Sequence, residues 1–88
     1  MASTLDALEV LDAASRAQSA LAASPIYVLR DIVVEQNGDA LMLMGRVDTF
    51  YHKQLAQELV RTVVERIKVV NALHVVYTPK TDYLIETR

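Results

Sequence analysis

The side chains that could carry acid-base, nucleophilic or metal chemistry are two histidines, eleven carboxylates and a scatter of serines, in a chain of 88 residues without cysteine. Neither His52 nor His74 has a carboxylate or second histidine at i+3 or i+4 on the same helix, the spacing that turns two ligands to one side. Ser3, Ser15, Ser19 and Ser24 lack the flanking glycines of a nucleophile elbow. The acids are dispersed, and local structure holds no pair of them at general acid/base distance. Zero cysteines remove a thiolate nucleophile, a disulfide framework and every cysteine-based zinc or iron-sulfur site. The expectation is a protein that is not an enzyme, with no catalytic residue, no metal, no cofactor and no small-molecule substrate.

What remains is contact chemistry. Phe50-Tyr51-His52-Lys53, with Tyr27, forms an aromatic and basic cluster. Tyrosine and lysine suit a lipid headgroup interface, where ring and stem are apolar while the tip stays wet. The competing reading is that Phe50 and Tyr51 staple the start of a helix onto a sheet. It is favoured because two basic residues attract anionic lipid only weakly.

Charge sets further limits. Nine Lys/Arg against eleven Asp/Glu give a net charge of -2 without a run of like charges, so nucleic acid is not an expected partner. The N-terminus has no basic region ahead of an apolar one, and no apolar run approaches the ~18 residues of a membrane span. If the chain is the full gene product, it is expected to be cytoplasmic. Hydrophobic residues make up 52% but aromatics only 6%, and eight of the eleven alanines fall in the first 23 residues.

These residues are positioned by a short series of elements. Ser3 or Thr4 caps a helix over 5–23 with Leu8, Leu11, Ala14, Ala17 and Leu21 on its apolar face, and Ser24-Pro25 stops it. From Tyr27 to Val47 the pattern is a hairpin around Asn37-Gly38, the favoured pair for a type I′ turn. That turn sets Val34 opposite Leu41, Ile32 opposite Leu43 and Val28 opposite Val47 on one side, and Val33 opposite Met42 and Asp31 opposite Met44 on the other. Gly45 falls on the first side, opposite Arg30, where a missing side chain would let a helix approach. Asp48 or Thr49 caps a second helix running to about Lys68, with Leu55, Leu59, Val63 and Ile67 at i+4 and Arg61 to Glu65 at ion-pair spacing. A strand over Val69 to Tyr77 follows, with Leu73 and Val75 inward, ended by Thr78-Pro79-Lys80.

A strand, a helix and a further strand in succession normally form a right-handed crossover, so the last two strands should be parallel. The fold class is therefore α+β: a two-layer sandwich of order α-β-β-α-β, a mixed three-stranded sheet with both helices on one face. One domain spans 1–78, and 79–88 form a tail expected to fray.

Gly38-x-x-Leu41-x-Leu43-x-Gly45-x-Val47, then a capped helix carrying Ala56, then Val70-Asn71-x-Leu73-x-Val75, resembles the BON domain, the family named after bacterial osmotically inducible and nodulation proteins. The resemblance covers Ser24 to Val76; Asn37, Gly38, Gly45, Thr49 and Asn71 are the residues expected to have structural roles. It implies a non-catalytic binding module that associates with phospholipid membranes or other envelope components. One departure is that the family usually shows a Gly-Val step after the second helix, where this chain reads Arg66-Ile67-Lys68. The residue that most readily takes a left-handed conformation is thereby lost. Another is the lack of a signal peptide, which many family members carry. A KH-like RNA binder on a related topology is disfavoured, since Gly38 and Gly45 are too far apart for a Gly-x-x-Gly loop.

The stronger contact candidate is the outer sheet face. Val33, Met42 and Met44 lie there, and Val70 and Val76 extend it. Methionine-bearing apolar patches adapt to partners and are uncommon as accidental surface. A protein partner, including a second copy of the chain, is the leading expectation, and a phospholipid membrane is the alternative. Equally weighted against an open face is a C-terminal Tyr83-Leu84-Ile85 segment folded back over it.

Overall fold

The computed structural model describes residues 7–76, with side chains from residue 9 onward. The cap at Ser3 or Thr4, the Leu8 side chain, the strand end at Tyr77 to Lys80 and the segment 79–88 with Tyr83-Leu84-Ile85 lie outside the described residues. The elements are α1 (Ala7–Ala22), a 3-10 turn (Tyr27–Asp31), β1 (Val33–Asn37), β2 (Ala40–Met44), β3 (Arg46–Val47), α2 (Phe50–Val63), β4 (Lys68–Asn71) and β5 (His74–Val75). β1 runs antiparallel to β2, β2 parallel to β4 and β3 parallel to β5. Ala40 lies opposite Lys68 and Val47 opposite Val75, the same offset in both parallel ladders. Amides of Ala72, His74 and Val76 donate to the carbonyls of Leu43, Gly45 and Val47 at 3.0, 3.0 and 2.8 Å, carrying the ladder across the break. β2–β3 is therefore one bent central strand, flanked by β1 and by a bent β4–β5. The α+β sandwich, the parallel crossover and the order α-β-β-α-β agree with the sequence reading.

The hairpin register does not. Asn37 pairs with Ala40 and Val34 with Leu43, so the turn residues are Gly38 and Asp39. Gly38 has φ +66, while neither Asn37 nor Asp39 is left-handed. A type I′ turn needs positive φ at both central residues, whereas a type II′ turn places glycine at the first of them, as Gly38 stands here. The slip is by two positions, so each side chain keeps its face and only its neighbours change. Asn37, freed from the turn, donates its amide to the Met42 sulfur at 3.1 Å.

The segment read as the start of the first strand is the 3-10 turn. Ser24 Oγ accepts from Ile26 N at 3.0 Å, Leu29 N donates to Ile26 O at 3.0 Å, and Arg30 Nε donates to Ser24 O at 2.8 Å. These local bonds tuck Leu29 into the core at 1% exposure, overriding the β-prone Tyr27-Val28-Leu29. Val28 and Val47 are therefore not strand partners. Gly45 has φ +131, and a side-chain carbon placed there would come to 3.7 Å from Asp31 O and Ile32 Cα. Its role is to bend the central strand beside the end of this turn, not to admit a helix.

Both helices pack through smaller residues than their spacing implies. α1 buries Val10, Ala13, Ala17 and Leu21, while Leu11 is exposed; α2 buries Ala56 and Val60, with Leu55, Leu59 and Val63 half-buried beside them. Ala13, Ala17 and Ala56 are fully buried, and the leucines of α2 are partly buried beside them, so the core is filled by small side chains as well as large ones. Below them Leu41, Leu43, Val47 and Leu73 complete the core from the inner sheet face.

Thr49 is the cap of α2, its hydroxyl accepting from His52 N at 3.0 Å. The helix ends at Val63, short of Lys68, so Glu65 lies beyond it and the helical Arg61–Glu65 pairing does not arise. Arg66 then takes φ 63, the left-handed conformation glycine would supply. At Arg66-Ile67-Lys68 an arginine thus makes the left-handed turn itself.

Asn71 ties the third strand to α2. Its amide donates to Lys53 O at 2.9 Å and Gln57 Oε1 at 3.1 Å, and its Oδ1 accepts from Leu73 N at 3.2 Å.

Candidate functional site

Strand alternation and register build the outer face from transverse rows. Glu35, Met42 and Val70 form one row across the three strands, and Val33 and Met44 form the next, with Ala72 following the end of β4 beside them through its amide bond to Leu43 O. Asn37, Ala40 and Lys68 close one end, and Arg46 opposite His74 closes the other. Val33 is 47% and Met44 36% exposed, Val76 is exposed at the end of the same strand line, and Met42 and Val70 are half-buried. All five sequence candidates thus share one face, but Met44, not Met42, is the neighbour of Val33. The result is an apolar centre with Glu35, Lys68, Arg46 and His74 around it. No described element covers it, because α1 and α2 both pack against the other side.

The free edges of the sheet are less available. At β1, Gln18 of α1 donates its amide to Ile32 O at 2.7 Å and accepts from Val34 N at 2.8 Å, standing in for a neighbouring strand. On the opposite edge Leu73 N, which points away from β3, is taken by Asn71 Oδ1. An edge interrupted by side-chain amides is a poor template for strand addition. Gln18 was not singled out in the sequence, where a lone glutamine in an alanine-rich helix carries no signal of this role.

The aromatic cluster is in part dispersed. Tyr27 lies in the 3-10 turn and is 77% exposed, with the Arg30 guanidinium carbon 5.6 Å from its ring centroid. Phe50 and Tyr51 open α2 at 75% and 68% exposure, and Tyr51 tilts against His52 at 5.5 Å. Rings exposed to that degree do not staple the helix onto the sheet, so the reading favoured from sequence is corrected. Lys53 is half-buried, its carbonyl held by Asn71.

No family model, curated protein or solved structure matches the chain. Function must therefore be argued from these surfaces alone.

His52 Nδ1 lies 2.6 Å from Oδ1 of Asp48, a carboxylate four residues before it and ahead of the first turn of α2. Among the described residues no group of three or more His, Asp or Glu converges as a metal site, and no helix is long and apolar enough to cross a membrane. Between α1, the 3-10 turn and α2 runs an open apolar groove of about 360 Å³ lined by Ala20, Ile26, Leu29, Leu55 and Leu59.

Proposed function

We propose that this chain is a non-catalytic, BON-like binding module that associates with a second copy of itself through the outer face of its sheet. The supporting observation is the exposed Val33–Met44 pair, with Met42 and Val70 half-buried in the neighbouring row. Packing two such faces removes apolar surface from water without disturbing either core, at roughly 25 cal/mol per Å². A two-fold axis along the strands would lay β1 of one copy over β4 of the other. Met44 would then face Met44 at the centre, and Glu35 would come near Lys68 of the second copy, giving a self-complementary rim. The interruptions at Gln18 and Asn71 direct association to the face, away from the edges. So small a face fits weak, reversible association at the low end of interface sizes.

Sedimentation velocity over a dilution series tests this reading. The wild type is expected to shift from monomer toward dimer as concentration rises, and Met42→Glu/Met44→Glu to stay monomeric with an unchanged fold. A wild type that stays monomeric up to ~1 mM, or a double variant that dimerises like it, removes the reading.

A second reading, peripheral phospholipid binding, is favoured by the exposure of Tyr27, Phe50 and Tyr51. It predicts co-sedimentation with vesicles that Phe50→Ser/Tyr51→Ser abolishes and Met42→Glu/Met44→Glu leaves intact. Absence of pelleting with both anionic and neutral vesicles would refute it. Salt separates the two readings, since headgroup attraction fades with ionic strength and an apolar face does not.

A further inference from the structure

Three cations line one cavity at the end of the domain where α2 hands over to β4. Arg61 sits in the last turn of the helix, Arg66 in the left-handed turn after it and Lys68 at the first position of the strand. Together with Val64, Ile67 and Val69 they line an open cavity of about 620 Å³, within the size range of small-molecule sites. Glu65 is the one carboxylate in that lining. None of the three cations lies in a salt bridge among the described residues, where ion pairs join Arg16 to Asp12 and His52 to Asp48.

The helix end accounts for only part of this. Carbonyls at a helix C-terminus favour a nearby cation, which suits Arg61. Arg66 and Lys68 follow the C-cap Val64 and belong to the turn and the strand rather than to the helix. Arg66 also has φ 63, a conformation that costs any residue with a side chain more than it costs glycine. A strained position filled by a long cation, beside two more cations and an open cavity, indicates that the guanidinium itself is used.

We infer that the cavity between the end of α2 and the start of β4 binds a phosphate-bearing anion through Arg61, Arg66 and Lys68. Arginine supplies planar paired donors to phosphate oxygens and lysine a point charge, and the walls of Val64, Ile67 and Val69 accept a small apolar part of the same ligand. The ligand is a soluble phosphate ester or the headgroup of an anionic lipid; the chemistry is shared. The site shares Lys68 with the rim of the sheet face, while Arg61 and Arg66 lie off that face, and the inference does not rest on association through it.

Arg66→Gly separates a ligand role from a structural one, because it removes the guanidinium while easing the backbone. Calorimetric titration of the full chain with inorganic pyrophosphate at low salt is expected to show saturable binding that weakens at least tenfold in Arg66→Gly. Arg66→Lys should keep most of it, and Met42→Glu/Met44→Glu should bind like the wild type. The melting temperature of Arg66→Gly should hold or rise by about 4 °C, which excludes unfolding as the cause. Co-sedimentation with phosphatidylglycerol vesicles, beside titration with glycerol 3-phosphate, distinguishes the membrane source from the soluble one. Loss of whichever binding is observed in Arg66→Gly supports the site. No saturable binding of any of these probes by the wild type, or equal binding by Arg66→Gly, overturns it.

Discussion

Leu43→Ala is expected to destabilise the domain by about 3 kcal/mol, whereas Met44→Ala, one position further along the same strand, changes its stability by no more than about 0.5 kcal/mol. The two residues are neighbours in sequence and similar in size. Leu43 is fully buried between the inner sheet face and the helices, while Met44 sits on the outer face at 36% exposure. Removing Leu43 loses transfer energy and leaves a cavity in a close-packed core that small shifts do not fill. A domain of this size has only about 5–10 kcal/mol of stability to lose, so the change should be visible as a fall in melting temperature of about 15 °C. Thermal unfolding followed by circular dichroism checks it. Equal effects at the two positions would mean that the layers are wrongly assigned.

Asn71→Ala should cost about 2 kcal/mol, the second largest effect expected of a single side chain. Its amide and carbonyl bind Lys53 O, Gln57 and Leu73 N, so one residue joins the edge strand to α2 and also occupies an edge amide. Truncation leaves the Lys53 carbonyl and the Leu73 amide without their partner in a part-buried setting, where the lost bonds are felt most. Urea denaturation measures the cost. Hydrogen exchange of the Leu73 amide should accelerate in the variant more than that of Leu41, whose strand stays paired on both sides. An unchanged midpoint would show that water replaces the asparagine without loss.

The layers, the crossover and the division of residues between sheet faces were legible because they follow from period. Alternation through Leu41, Met42, Leu43 and Met44 assigns faces whatever the register, which is why the outer-face residues agree although the turn is displaced by two positions. The local choices were not legible. Whether Asn37-Gly38 or Gly38-Asp39 forms the turn depends on one strand pairing against another, and the coil of Tyr27–Asp31 depends on bonds to Ser24 that no propensity records. The helix faces were rotated because alanine carries little hydrophobic weight in a sequence, yet Ala13, Ala17 and Ala56 are fully buried here. Cations on a helix, a turn and a strand read as a solvated surface until folding brings Arg61, Arg66 and Lys68 to one cavity.

Across the candidate surfaces, the charged cavity and the aromatic end of α2 are localised features, while the outer sheet face spans all three strands. That breadth is why association through the face stands as the leading reading. A concentration series of amide and methyl NMR spectra on the wild-type chain reports where copies meet. Shifts concentrated on Val33, Met42, Met44, Val70 and Ala72, with Val34 and Leu73 amides unmoved, are the predicted result. Shifts centred on Phe50 and Tyr51 or along the sheet edges, or spectra unchanged up to ~1 mM chain, would contradict association through the face.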